Sequence, residues 1–188
     1  MRRVIQRVAN WNKARYERVY DNTLTVSLLR EEQREWLEAK TPTDKLDALC
    51  DLIYVAIGAM WKLDIDSQTA NEAHAQSVQV VSNQLECNEL YPAMYNNTYI
   101  DVLEFDNEYP VVVSLQLIIT SSLAEMTGLG LDHDQCIEAL LIVCDANDSK
   151  TITKTSSDVK ANVDKGPFFV APEARLTKLL EAARGKLN

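Results

Sequence analysis

LREEQREWLEAKTPTDKLDALCDLIYVAIGAMWKLD, residues 29–64, is the stretch on which the fold turns. From Ala48 to Trp61 it runs 14 residues, apolar apart from Asp51. That is short of the ~18 residues a membrane helix requires, and a helix apolar nearly all round belongs at the centre of a bundle. The spacing predicts this helix over 44–63, with Pro42 stopping the helix before it and Thr43 and Asp44 restarting the chain. The preceding helix is expected over 23–39. With Glu31 as zero and about 100° per residue, Glu35 falls at about 40° and Glu32 at about 100°, while Leu24 and Leu28 fall at about 20° and 60°. The acids thus continue an apolar stripe, whereas a solvated charged face would lie opposite it. Surface acids paired with Arg30 and Arg34 are the plainer reading of the same segment.

Working outward, an imperfect stripe of Val4, Val8, Trp11, Tyr16 and Val19 predicts a first helix over 2–20. Residues 66–86 read as a polar helix and 87–108 as a long connection with at most one ordered turn. Pro110 opens a helix to about Met126, ended by Gly128 and Gly130. Asp132 with Gln135 resembles a capping box and opens a helix to Ala146. Residues 148–170 are polar and lysine-bearing, and Pro172 starts a last helix to Arg184. No repeat or domain boundary is visible. The expectation is a single all-α domain over 1–188, a bundle of antiparallel helices with long connecting loops.

Composition narrows the function. The chain has 188 residues, 46% apolar and 25% charged, with five Gly and five Pro, which excludes fibrous and disordered classes. Its formal charge of −9 repels nucleic acid and anionic membrane, so neither is an expected partner, and a polyphosphate ligand would need mediating cations. The N-terminus has no continuous apolar segment of the secretory kind, which points to the cytoplasm. Cys50, Cys87, Cys136 and Cys144 form no CxxC, and the eight-residue spacing of the last two suits buried thiols on one helix face. His74 and His133 follow no Glu at di-iron spacing. There is no P-loop and no nucleophile triad.

Chemistry concentrates on the acids. Asp51 lies one turn from Asp47 on the same face, among Leu, Ile, Val and Trp, where a carboxylate costs several kcal/mol unless paired or coordinated. With no Lys or Arg inside that stretch, a bound metal is the stronger expectation and a local ion pair the weaker. Antiparallel helices bringing Glu32, Glu35, Asp47 and Asp51 together would form an all-oxygen site suited to Mg2+ or Mn2+.

Glu31-Glu32-x-x-Glu35 followed by DALCDLIYVAIGAMWKLDID (47–66) resembles the all-α nucleoside triphosphate pyrophosphohydrolase superfamily, the MazG and phosphoribosyl-ATP pyrophosphohydrolase-like group, whose signature is EExxE and then ExxD. A weaker resemblance covers Leu131 to Pro172, through CDANDSK (144–150) and Lys165-Gly166-Pro167. Residues 67–127 look like an insertion. One departure stands out: the second pair is Asp47 and Asp51, with Ala48 where the family has Glu. The resemblance implies Mg2+-dependent hydrolysis of a nucleoside or deoxynucleoside triphosphate to monophosphate and pyrophosphate, with Mn2+ an alternative ion. It implies Glu32, Glu35, Asp47 and Asp51 as metal ligands, Glu31 or Glu35 orienting or deprotonating water, and Lys150 and Lys165 on the distal phosphates. Asn147 would bond sugar or base, Trp11, Tyr16, Asn22 and Tyr54 are candidates for the base, and assembly would be a homodimer or homotetramer. The alternative is a catalytically silent bundle that binds a nucleotide or a protein.

Overall fold

The computed structural model describes residues 1–65, 67–86, 99–104, 110–152 and 163–185. In chain order the elements are α1 (Arg2–Lys13), α2 (Asn22–Glu38), α3 (Pro42–Leu63), α4 (Ser67–Glu86), α5 (Val111–Gly128), α6 (His133–Ser149), the short strands β1 (Thr151–Ile152) and β2 (Val163–Asp164), and α7 (Glu173–Gly185). The fold is all-α. The strands form a minimal antiparallel pair, Thr151 opposite Asp164 and Ile152 opposite Val163, inside the polar segment that the sequence left without structure.

α3 is the central element, packed against α1, α2, α5, α6 and α7. Leu46, Leu49, Cys50, Leu52, Ile53 and Ala56 have no exposed surface, as an all-round apolar helix requires. It starts at Pro42, earlier than the spacing predicted, because Thr41 and Asp44 form a reciprocal capping box. The Thr41 hydroxyl accepts from the Asp44 N–H and the Asp44 carboxylate from the Thr41 N–H, both at 3.1 Å, which makes Pro42 the first helical residue.

α1 corrects the expected helix over 2–20, ending at Lys13. The Asn12 carbonyl accepts from both Arg15 and Tyr16, at 3.0 and 2.8 Å, which tightens the chain into a turn. Arg18 then reaches across to the Trp61 carbonyl at 2.8 Å and to Asp64 at 2.7 Å. Tyr16 is folded back against Trp11, with ring centroids 5.6 Å apart, and Val19 is left exposed.

α2 keeps close to its expected bounds, capped by Asp21, which accepts from the Leu24 N–H at 3.0 Å. Its core face carries Val26, Leu29, Gln33 and Trp36, rotated from the Leu24–Leu28 line that the angular argument used. Leu24 and Leu28 instead line a cavity that also takes in Glu31 and Glu32, so the acid stripe faces enclosed space, not packed core.

α4 and α5 are joined through the region that the sequence read as a connection. Its described part, 99–104, is helical, with Tyr99, Ile100 and Leu103 buried and with Asp101 and Glu104 paired to Arg30 of α2; the rest lies outside the described residues. α5 is long and apolar enough to cross a membrane, 18 residues with a mean hydropathy of 1.4, a run that the reading centred on 48–61 passed over. Here it lies against both α3 and α4, with Leu115, Leu117 and Ile118 buried. The 67–127 segment therefore supplies core surface to the central helix.

α6 opens with the expected capping box, Asp132 and Gln135 exchanging bonds of 2.9 Å. Cys50, Cys136 and Cys144 are free and buried, the last two as their spacing predicted. At the far end of α6, Arg7 of α1 pairs with Asp145 at 2.6 Å and with Asp148, and Arg175 of α7 pairs with Asp145 at 2.7 Å. One carboxylate thus joins the first and last helices. If the core face is as described, Leu49→Ala costs about 2–5 kcal/mol in chemical denaturation, whereas Leu37→Ala, at a position 64% exposed, stays within about 0.5 kcal/mol.

Candidate active site

The cavity between α1, α2, α3 and the end of α6 has a volume of about 420 Å³, within the range of small-molecule sites. The connection between α2 and α3 is residues 39–41, too short for anything but antiparallel neighbours. Side chains therefore meet in levels. Glu31 and Glu32 of α2 line the cavity with Asp51 of α3, joined by Asn147 of α6 and Lys150 just past the end of that helix. Leu28, Tyr54 and Val55 form the next level, and Thr25, Gly58 and Lys62, with Asn12 and Tyr16, the far end. At 1.5 Å rise per residue, Gly58 is about 10 Å along α3 from Asp51.

Electrostatics set the acid end apart. Burial, reinforced by Asp51, Glu35 and Glu31, pushes the Glu32 carboxyl up to about 9. Burial, then the charges of Asp51, Glu173 and Glu35, raises Asp47 to about 7. Asp51 is raised to about 6 by burial, with Lys150 opposing the rise. Lys150 is the positive group felt by all three. Its ammonium donates to Asn147 Oδ1 at 2.8 Å, Asn147 Nδ2 donates to the Val143 carbonyl at 3.2 Å, and Trp11 Nε1 donates to the Asn147 carbonyl at 3.0 Å. Among the described residues, no ion pair within 4.0 Å reaches Glu32, Asp47 or Asp51.

Glu31, Glu32, Asp51, Trp11, Tyr16, Tyr54, Asn147 and Lys150 are brought to this one cavity. Glu35, one turn after Glu31 on α2, and Asp47, one turn before Asp51 on α3, are off the cavity wall but within electrostatic reach of Asp51. Asp47 Oδ1 is buried without a hydrogen-bond partner. Among the described residues, no three His, Cys, Asp or Glu side chains converge into a ready cage for one ion. Lys165 is exposed, 5.1 Å from the centre of the Phe169 ring, and acts on Asp51 through space.

Asn22 is the correction. As the first residue of α2 it faces the 99–104 segment, donating from Nδ2 to the Leu103 carbonyl at 2.9 Å and accepting the Tyr20 hydroxyl at 2.7 Å. It borders a separate polar cavity with Arg30 and Arg34. Trp11 is a fixed wall: Arg15 covers one face at 4.4 Å and the Tyr54 ring meets it edge-on at 5.8 Å. The Tyr54 hydroxyl is buried without a partner. Sequence reasoning passed over Asn12, Thr25, Gly58 and Lys62, whose only signal was membership of the levels that continue the acid stripe.

Residues 1–77 match the family model of phosphoribosyl-ATP pyrophosphohydrolase. The match spans less than half of the chain. It contains α1, α2, α3 and the start of α4, hence every acid of the site but neither Asn147 nor Lys150. No curated protein and no solved structure matches the chain.

The raised carboxyls fix a sign. Unfolded, they ionise at a pH of about 4, so between about 4 and 9 the unfolded chain holds fewer protons than the fold, and stability falls as pH rises. Below that window the fold carries no penalty. Each retained proton corresponds to about 1.4 kcal/mol per pH unit, roughly 3–5 °C for a chain of this size. In chelator-treated protein the melting temperature should decline from pH 5 to pH 7, most steeply near pH 5 where Glu32, Asp47 and Asp51 all retain protons, and Glu32→Gln should remove one proton's share of that slope.

Proposed function

We propose that the protein hydrolyses a nucleoside or deoxynucleoside triphosphate to monophosphate and pyrophosphate. The observation that carries this reading is the two-ended cavity: acids with Lys150 at one end, Asn12 and Tyr16 with Lys62 at the other, with α1, α2 and α3 inside the match to a pyrophosphohydrolase family. An elongated ligand with an anionic end and a flat polar end fits that distribution. The coarser statement, pyrophosphohydrolysis of a nucleotide-like substrate, is what the family supports.

The chemistry of the donor set suits Mg2+. Glu32 and Asp51 offer oxygen only, and Asp47 holds a buried oxygen with no partner. Mg2+ retains several waters and takes one or two carboxylates together with substrate phosphates, so the lack of a closed protein cage is no obstacle. Glu32 and Asp51 would hold the ion at the cavity, with Glu35 and Asp47 behind them. When bound, it would screen the phosphate oxygens and lower the pKa of a water.

The protein's own groups do the rest. Lys150, kept over the acids by Asn147, binds phosphate oxygen as a point charge. Glu31, on the cavity wall, orients the attacking water and takes its proton. Trp11 and Tyr54 wall off bulk solvent on the α1 side.

A panel of nucleoside and deoxynucleoside triphosphates, assayed with Mg2+ and with Mn2+ and with products separated, tests this. Monophosphate and pyrophosphate should form, falling about 10²-fold or more in Glu32→Gln and Asp51→Asn. Metal and nucleotide binding without turnover would favour the silent binding module. Assembly as a homodimer or homotetramer belongs to the same reading, and light scattering should give at least twice the 21.2 kDa chain mass.

A further inference from the structure

The far end of the cavity holds a polar side chain that the reaction does not use. Asn12 is 5% exposed, yet it lies on the cavity wall. Its Nδ2 donates to the Val8 carbonyl at 2.9 Å. A carbonyl can only accept, so the orientation of the carboxamide is fixed. Oδ1 then takes no hydrogen bond from the described residues. That leaves an acceptor of fixed orientation on the cavity wall, open to a donor from whatever occupies the cavity.

Gly58 explains how the carboxamide is seated. A Cβ at position 58 would come within 3.2 Å of Asn12 Nδ2 and 3.6 Å of Oδ1, so a larger residue there would press on the amide and shift it by a few tenths of an ångström. Gly58 is about 10 Å along α3 from Asp51, beyond the apolar level of Leu28 and Val55. With phosphates at the acid end, this is where the base of a nucleotide arrives.

We propose that Asn12 is the specificity-determining residue, Oδ1 accepting a hydrogen bond from an N–H on the pairing edge of the base. This rests on the nucleotide reading above and deepens it. The substrate class is a nucleotide whose base keeps that N–H. A base substituted on that edge, as in a phosphoribosylated adenine, carries its substituent into the space Asn12 needs, so the chain departs from the substrate in its matched family's name.

Tryptophan fluorescence titrations of the full chain test this without turnover. Uridine and guanosine monophosphates are compared with their ring-N-methylated counterparts, and cytidine and adenosine monophosphates with their amino-dimethylated counterparts. At least one unmethylated member should bind about tenfold more tightly than its counterpart, and the ratio should fall to near one in Asn12→Ala. Gly58→Ala, which keeps Asn12 but displaces its amide, should reduce the ratio too and serves if Asn12→Ala does not fold. An unchanged ratio in both variants, no discrimination by the wild type, or no binding of any monophosphate overturns the inference. Turnover whose nucleotide ranking survives Asn12→Ala overturns it while leaving the pyrophosphohydrolase reading intact. Methyl discrimination without pyrophosphate release overturns that reading and supports this one.

Discussion

The burial of carboxyl groups on neighbouring helices, reinforced by their charge on one another, is the constraint around which the rest is arranged. α2 and α3 are tied by residues 39–41, so the levels at which Glu32 and Asp51 stand cannot slide apart. Their helices are anchored by Leu29, Leu49 and Ile53, all fully buried. Hydrophobic packing thus holds together groups that would separate in water, and the acids lose solvation without gaining a close cation. Lys150, coming from α6, offsets part of that cost for Glu32, Asp47 and Asp51 alike.

This arrangement makes the scaffold around α6 more than support. Asn147 accepts from both Lys150 and, through its carbonyl, Trp11, so the counter-charge and the aromatic wall share one residue. Arg7 and Arg175 fasten the same helix end from two sides through Asp145. Their ion pairs are partly exposed, so each contributes little to stability. Their value lies in fixing where α1 and α7 sit relative to the lysine.

Much of this was legible in the sequence because helical periodicity needs only local information. The apolar run 48–61 announced a central helix, and Asp132 with Gln135 announced a capped start. The acids stood out because charge inside an apolar pattern is rare. What escaped depended on distance. Nothing local told that Arg18 would be drawn to Trp61 and Asp64 and so end α1 early, or that Asn22 would be engaged by Leu103. Asn12 was hidden for a related reason: its meaning comes from Gly58, on another helix, where the absence of a side chain makes the space.

The placement of Lys150 has a consequence for how the chain is made. During synthesis the acids of α2 and α3 emerge first, and at about 5–20 residues per second their lysine follows roughly 5–20 s later. Arg175, which secures the helix carrying that lysine, comes later still. For that interval the early helices hold mutually repelling groups with no resident compensation. The matched segment 1–77 thus leaves the ribosome well before the lysine that offsets the charge of its acids.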